Sequence, residues 1–235
     1  MADDLLELVD DVLADVDYAE NPFFTALTDG SFSREDFLET QYQFHAAVVF
    51  FNRPMAALAA KIPDPALRVA IVRNVWEEHG EGDPGRMHGT TFVTLLSRLA
   101  GLTEREVGEE LERRPLWPEV RAFNTLLVGA CVLDDYLVGT AVLGIIERMF
   151  AEISGWIGRG IVARGFLPED QLIHYDLHEK LDVRHSRDFF EVLAPAWAKS
   201  PRDRYPIEQG LRMGAVAFDQ LYARLYRVRA RRWQR

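Results

Sequence analysis

Six residues have the types and spacing for metal chemistry: Glu78, His88, Glu147, His178, Asp182 and His185. The last three form H-x3-D-x2-H in a segment that reads as helix. At about 100° per residue they lie within an arc of roughly 60°. His174 extends this stripe by one turn. A helix face of His, Asp and His is a poor core face, because such groups are costly to bury without partners. A metal ion would satisfy them together. A solvated face, or hydrogen bonds to a neighbouring helix, is the plainer alternative.

Glu147 follows Leu143 and Gly144 and precedes Phe150 and Ala151 at helical spacing, so it projects from an apolar stripe. An ionised carboxylate there needs a cation, a partner or a proton. An arginine such as Arg53 or Arg184 is one such partner. Glu78 repeats this logic, since Leu67, Ile71, Val75 and Glu78 make one stripe, and Glu77 then faces outward. His88 comes after a Gly/Pro break that lets the chain turn back. Glu81, seven residues before His88, competes with Glu78 as the acid. His79 reads as a solvated helix end. His45 lies among Leu38, Tyr42 and Val49, where a histidine is either a hydrogen-bonded core residue or a further ligand. Tyr42 and Tyr136 are candidate supporting donors. Cys131 reads as a small buried hydrophobe.

The elements that must position these residues read as helices. Leu5, Leu6, Val9, Val12, Leu13 and Val16 share one face near the start. Ser33 to Asp36 has the spacing of a capping box and opens a helix to about Asn52. Asp64-Pro65 starts another, to about His79. Thr103 to Glu106 is a second capping box. Further helices run from about Arg86 to Leu99, from Pro118 to about Leu133, from Asp134 or Asp135 to about Ile157, after Leu167-Pro168, and after Ser200-Pro201. The pattern predicts an all-α bundle in a single domain over residues 1–235, with no strands and no repeat.

Composition narrows the function classes. Of 235 residues, 48% are apolar and 27% charged, as in an ordinary globular protein. The net charge of −10 argues against nucleic acid as the main partner. No apolar run reaches membrane-span length, and the start is acidic, so neither a membrane anchor nor a secretory signal is expected. A single cysteine suits a reducing cytoplasm. Residues 1–20 carry eight acids and no base, whereas residues 224–235 carry six arginines and no acid. These read as solvated termini that attract each other, with Trp233 the one large apolar residue at the very end.

Three carboxylates and three histidines on four helical segments match how bundles build di-iron and di-manganese sites. The absence of thiolates disfavours structural zinc, and mixed N/O donors fit iron or manganese.

Asn74-Val-Trp-Glu77-Glu78-His-Gly80, His88-Gly-Thr-Thr-Phe, and Glu147 some thirty residues before the H-x3-D-x2-H motif resemble the iron-containing members of the haem-oxygenase-like (TenA/PqqC-like) superfamily. The resemblance covers roughly residues 35–190. It implies a bundle of about seven to nine helices, often a homodimer, binding two irons without haem and using O2 as co-substrate. Glu78, His88, Glu147, His178, Asp182 and His185 would then be the iron ligands, with Glu81 the rival of Glu78 and His45 a further candidate. The expected activity is non-haem di-iron oxidation or oxygenation of a small amine-, amino-acid- or carboxylate-bearing metabolite. Arg53, Arg86 and Arg184 are candidate partners for a substrate carboxylate. The alternatives are a metal-free TenA/PqqC-like enzyme and a non-catalytic metal- or partner-binding bundle. A TenA-like thiaminase would need a pocket cysteine, a role for which Cys131 is poorly suited.

Overall fold

The computed structural model describes residues 3–232, and among them there are ten α-helices and no strand. They are α1 (Asp3–Val16), α2 (Pro22–Asp29), α3 (Arg34–Lys61), α4 (Pro65–Glu78), α5 (His88–Ala100), α6 (Glu104–Arg113), α7 (Pro118–Val128), α8 (Tyr136–Ala163), α9 (His174–Lys199) and α10 (Pro201–Arg227). The expected caps are in place. Ser33 accepts from the Asp36 N–H at 3.0 Å, Asp64 from Ala66 at 2.8 Å, and Thr103 and Glu106 form a reciprocal capping box.

Three elements depart from the sequence reading. α2 was not expected; its eight residues are capped by Asn21, begin at Pro22, and bury Phe23, Phe24 and Leu27. α3 continues through Pro54 to Lys61. Proline removes one backbone hydrogen bond there, but Pro54, Met55 and Leu58 are buried, and packing holds the helix together. The end of α7 opens into one π-helical turn, Gly129–Leu133, which buries Cys131.

α8 is apolar on nearly every side and runs through the centre of the bundle, as an all-round hydrophobic helix must. α9 packs along it, and α10 crosses it closely through glycines. A Cβ on Gly214 would meet Ile145 Cγ2 at 2.6 Å and the Val142 carbonyl oxygen at 2.8 Å. Gly214→Ala is therefore expected to push α10 off α8 and cost about 1–3 kcal/mol, read as a lower denaturant midpoint.

Among the described residues the charged ends pair with other segments rather than with each other as the sequence suggested. The acids of α1 meet arginines of α10, with Arg212 2.9 Å from Asp15 and Arg204 3.5 Å from Asp4. The arginine tail instead reaches Asp36 and Glu119, through Arg232 at 2.9 Å and Arg231 at 3.0 Å. The expectation for Trp233 and Arg235 lies outside the described residues. Among the described residues no single helix is long and apolar enough to cross a membrane.

Candidate functional site

Two long core helices supply four of the six singled-out residues. Glu147 projects from the middle of α8, and His178, Asp182 and His185 line the facing side of α9. Glu78 is the last residue of α4 and His88 the first of α5, joined by two short 3-10 turns that reverse the chain. All six are buried, none more than 5% exposed. One donor atom each of Glu78, Glu147 and His185 lie within 4.8 Å of one another. His88 Nδ1 is 2.8 Å from Glu78 Oε1, and the His88 and His178 rings meet edge to face at 4.3 Å.

The imidazole tautomers follow from their partners. Ionised carboxylates only accept, so a ring nitrogen facing one must donate. His178 Nδ1 lies 3.0 Å from both oxygens of Asp182, which leaves Nε2 with the lone pair in the neutral ring. His185 Nε2 lies 2.8 Å from Glu77 Oε2, which leaves Nδ1 with the lone pair. That Nδ1 is 3.8 Å from Glu147 Oε1 and from Asp182 Oδ1. His178 Nε2, His185 Nδ1 and Glu147 Oε1 are all buried without a hydrogen-bond partner. Glu147 and His185 belong, with Glu78, to the group whose donor atoms converge within 4.8 Å, and such a group is what a metal ion would take up; outer carboxylates orient metal-binding histidines in this way. The donor set therefore fits a metal.

Electrostatics agree with an acid-rich cluster. Burial pushes the Glu147 carboxyl well above the usual range, and the negative charges of Asp182 and Glu78 push it further. Burial also works against ionised Glu78, but His88 in contact outweighs it and holds the carboxyl down. His88 is in turn raised, because Glu78 outweighs its own desolvation.

The remaining candidates lie elsewhere. Glu81 has a left-handed backbone (φ 56°), is exposed, and pairs with Arg86 at 3.1 Å. His45 packs against Phe92, ring centres 6.0 Å apart, and burial lowers its pKa to about 4. Tyr42 lies under the Arg114 guanidinium at 4.0 Å rather than beside the cluster. Arg184 sits 2.5 Å from Glu77 and is not the partner of Glu147. His79 is exposed and turns its Nδ1 back to the Val75 carbonyl at 2.7 Å. Burial pushes the Cys131 thiol up to about 12, so it is no nucleophile at neutral pH.

Two supporting residues escaped the sequence reading. Glu77 was expected to face outward, yet it reaches α9 and holds both His185 and Arg184. No periodicity within α4 could show this, because it depends on how α4 meets α9. Thr91, three residues after His88 and so on its face, donates to the His88 carbonyl at 3.0 Å. It therefore accepts from His174 Nδ1 at 3.1 Å, leaving His174 Nε2 buried and unpartnered beside His178.

The sequence profile of a family described as "iron-containing redox enzyme" matches residues 37–219, more than half of the chain. The chain belongs to that family. A relative named 4-aminobenzoate synthase, from Nitrosomonas europaea, is 23% identical over 196 residues, covering 79% of this chain and 76% of the relative. Among solved structures, a CADD-like protein of unknown function from Nostoc punctiforme superposes with a TM-score of 0.77 at 14% identity, covering 96% of each chain. A TenA homologue from Pseudomonas syringae pv. tomato gives 0.71 at 16% identity, covering 96% of this chain and 92% of its own. The fold of this iron-containing redox enzyme family member is thus the haem-oxygenase-like, TenA/PqqC-like bundle, and the chain is an enzyme of that superfamily.

Proposed function

We propose that the chain is an O2-dependent oxidoreductase that holds two iron ions in the buried Glu/His cluster and oxidises a small amine-, amino-acid- or carboxylate-bearing metabolite. The observation that carries this reading is the trio of buried, unpartnered donors, Glu147 Oε1, His178 Nε2 and His185 Nδ1. Glu78, His88 and Asp182 complete the donor set. Bound iron would supply O2 activation, for which the side chains alone have no redox group. Asp182 and Glu77 fix the histidine tautomers, and the surrounding core keeps bulk water from the cluster. The family description agrees with iron, and the relatives named 4-aminobenzoate synthase agree with a small amine or amino acid as substrate or product.

A metal-free TenA/PqqC-like enzyme is the second reading, and the comparisons support it at least as well. It is favoured by the pairs Glu78–His88 and His178–Asp182, which neutralise one another without a metal. In that case Glu78 and His88 form a buried acid–base pair, and the chemistry proceeds without a thiol.

Metal analysis separates these readings. Iron is expected at two per chain, manganese only as a minor occupant, with O2 consumed by the Fe(II)-loaded protein. Glu78→Gln and Glu81→Gln decide between the rival acids: the first is expected to lower iron content and the second to leave it. The reverse result would make Glu81 the ligand, brought inward by movement of the 80–86 turn. Protein without iron or manganese that takes up no O2 would leave the metal-free reading.

A further inference from the structure

Beside the cluster is a cavity of about 40 Å³. Its walls come from four helices: Phe44, Val48 and Phe51 of α3, Phe123 of α7, Phe150 of α8 and Phe218 of α10. Its polar lining is confined to Glu78, Glu147 and His178, all members of the one cluster. Among the described residues no arginine, lysine, hydroxyl or amide side chain lines it. The three arginines expected to meet a substrate carboxylate are not in it. Arg184 is held by Glu77, Arg86 by Glu81, and Arg53 lies over Phe50, 6.0 Å from its ring centre. The half-buried residues of the wall are Val48 and Phe51, which places the mouth along α3.

We infer that the substrate is a one-headed apolar molecule, with a single polar group at the Glu78–Glu147–His178 end and an uncharged hydrocarbon body between the phenylalanines. The inference rests on the cavity being the substrate site of the reaction proposed above. It narrows that reading by excluding substrates whose far end carries a second charge or a chain of hydroxyls. Such a group would be stripped of water and left without a partner among the phenylalanines, and that cost falls on binding. An apolar body gains from the same walls by burial and by contact with aromatic faces. At about 40 Å³ the cavity has room for about one or two carbons as it stands, so a longer body enters with a shift of the phenylalanine side chains.

The test is calorimetric titration of the full chain as purified with pentylamine, pentanoate and 5-aminopentanoate, with metal content measured on the same sample. The three share a five-carbon chain; the last carries a charge at each end. At least one of the first two is expected to bind, and 5-aminopentanoate at least about tenfold more weakly than the better of them. Val48→Arg, which adds a cation at the mouth, is expected to narrow that gap. Equal or tighter binding of 5-aminopentanoate to the unsubstituted chain overturns the inference, and so does failure of both one-headed probes to bind. The readout needs no turnover. Selective binding without iron or O2 uptake would end the iron reading and leave the inference standing. Iron and O2 uptake with a preference for the two-headed probe would do the opposite.

Discussion

Glu147→Gln is expected to make the metal-free protein more stable and the protein less able to retain metal. Both effects follow from where the carboxyl sits. Glu147 is 3% exposed in the middle of the most apolar helix, its Oε1 has no hydrogen-bond partner, and its neighbours Asp182 and Glu78 are also acids. Burial and these like charges raise its pKa in the folded state, so the folded chain binds a proton that the unfolded chain releases. The sign is then fixed. The folded form carries no penalty below the unfolded carboxyl range near pH 4, and loses stability as pH rises from there toward the folded pKa. Glutamine has the same shape and no such proton. The stability gap between variant and parent should therefore open with pH, at up to about 1.4 kcal/mol per unit. Denaturant unfolding at pH 5 and pH 7 after chelation measures it. A gap that stays constant with pH, or a variant less stable than the parent, would mean that Glu147 is ionised and satisfied in the metal-free fold. With metal present the order should reverse, because a bound cation is the partner the carboxylate lacks and glutamine is a weaker ligand.

The contrast between Glu147 and Glu77 shows what periodicity can and cannot reveal. Helical spacing identified which carboxylates face the core, because the 3.6-residue repeat is a property of one helix and its stripe is written in one segment. Glu78, Glu147 and the three α9 residues were legible for that reason. Glu77 was misread because its partners, His185 and Arg184, belong to another helix, and the packing of α4 on α9 has no local signature. His45 lay on a true apolar stripe, but that stripe meets Phe92 rather than the acids. The cavity walls were illegible for the same reason as Glu77, since they gather phenylalanines from four helices. The all-α class and most helix starts were readable from caps and prolines. The continuation of α3 past Pro54 was not, because burial of Met55 and Leu58 outweighs a local rule.

His178→Ala is expected to cost stability as well as metal, and the structure explains why a purely catalytic role would be misjudged from that variant alone. Asp182 is fully buried and has both oxygens 3.0 Å from His178 Nδ1. Removing the ring leaves a buried carboxylate facing Glu147, with His185 Nδ1 3.8 Å away as its remaining close nitrogen. Breaking a buried pair from one side costs about 3–5 kcal/mol. The loss comes from the stranded acid, so it should be recovered in large part when the acid is also removed. His178→Ala combined with Asp182→Asn is expected to be more stable than His178→Ala alone, and the two changes to be strongly non-additive in a double-mutant cycle. Metal retention should follow a different pattern. If His178 Nε2 is a ligand, every variant lacking the ring loses metal whatever its stability, because Asp182→Asn restores packing but supplies no donor. Asp182→Asn by itself keeps the ring but removes the carboxylate that sets its tautomer, and it should weaken metal binding by about 10–100-fold even if the acid acts only as an outer partner. Circular dichroism melts and metal content on the three variants read the two effects independently. Recovery of both stability and metal in the double variant would show that His178 serves the fold and not a metal, and would favour the metal-free enzyme.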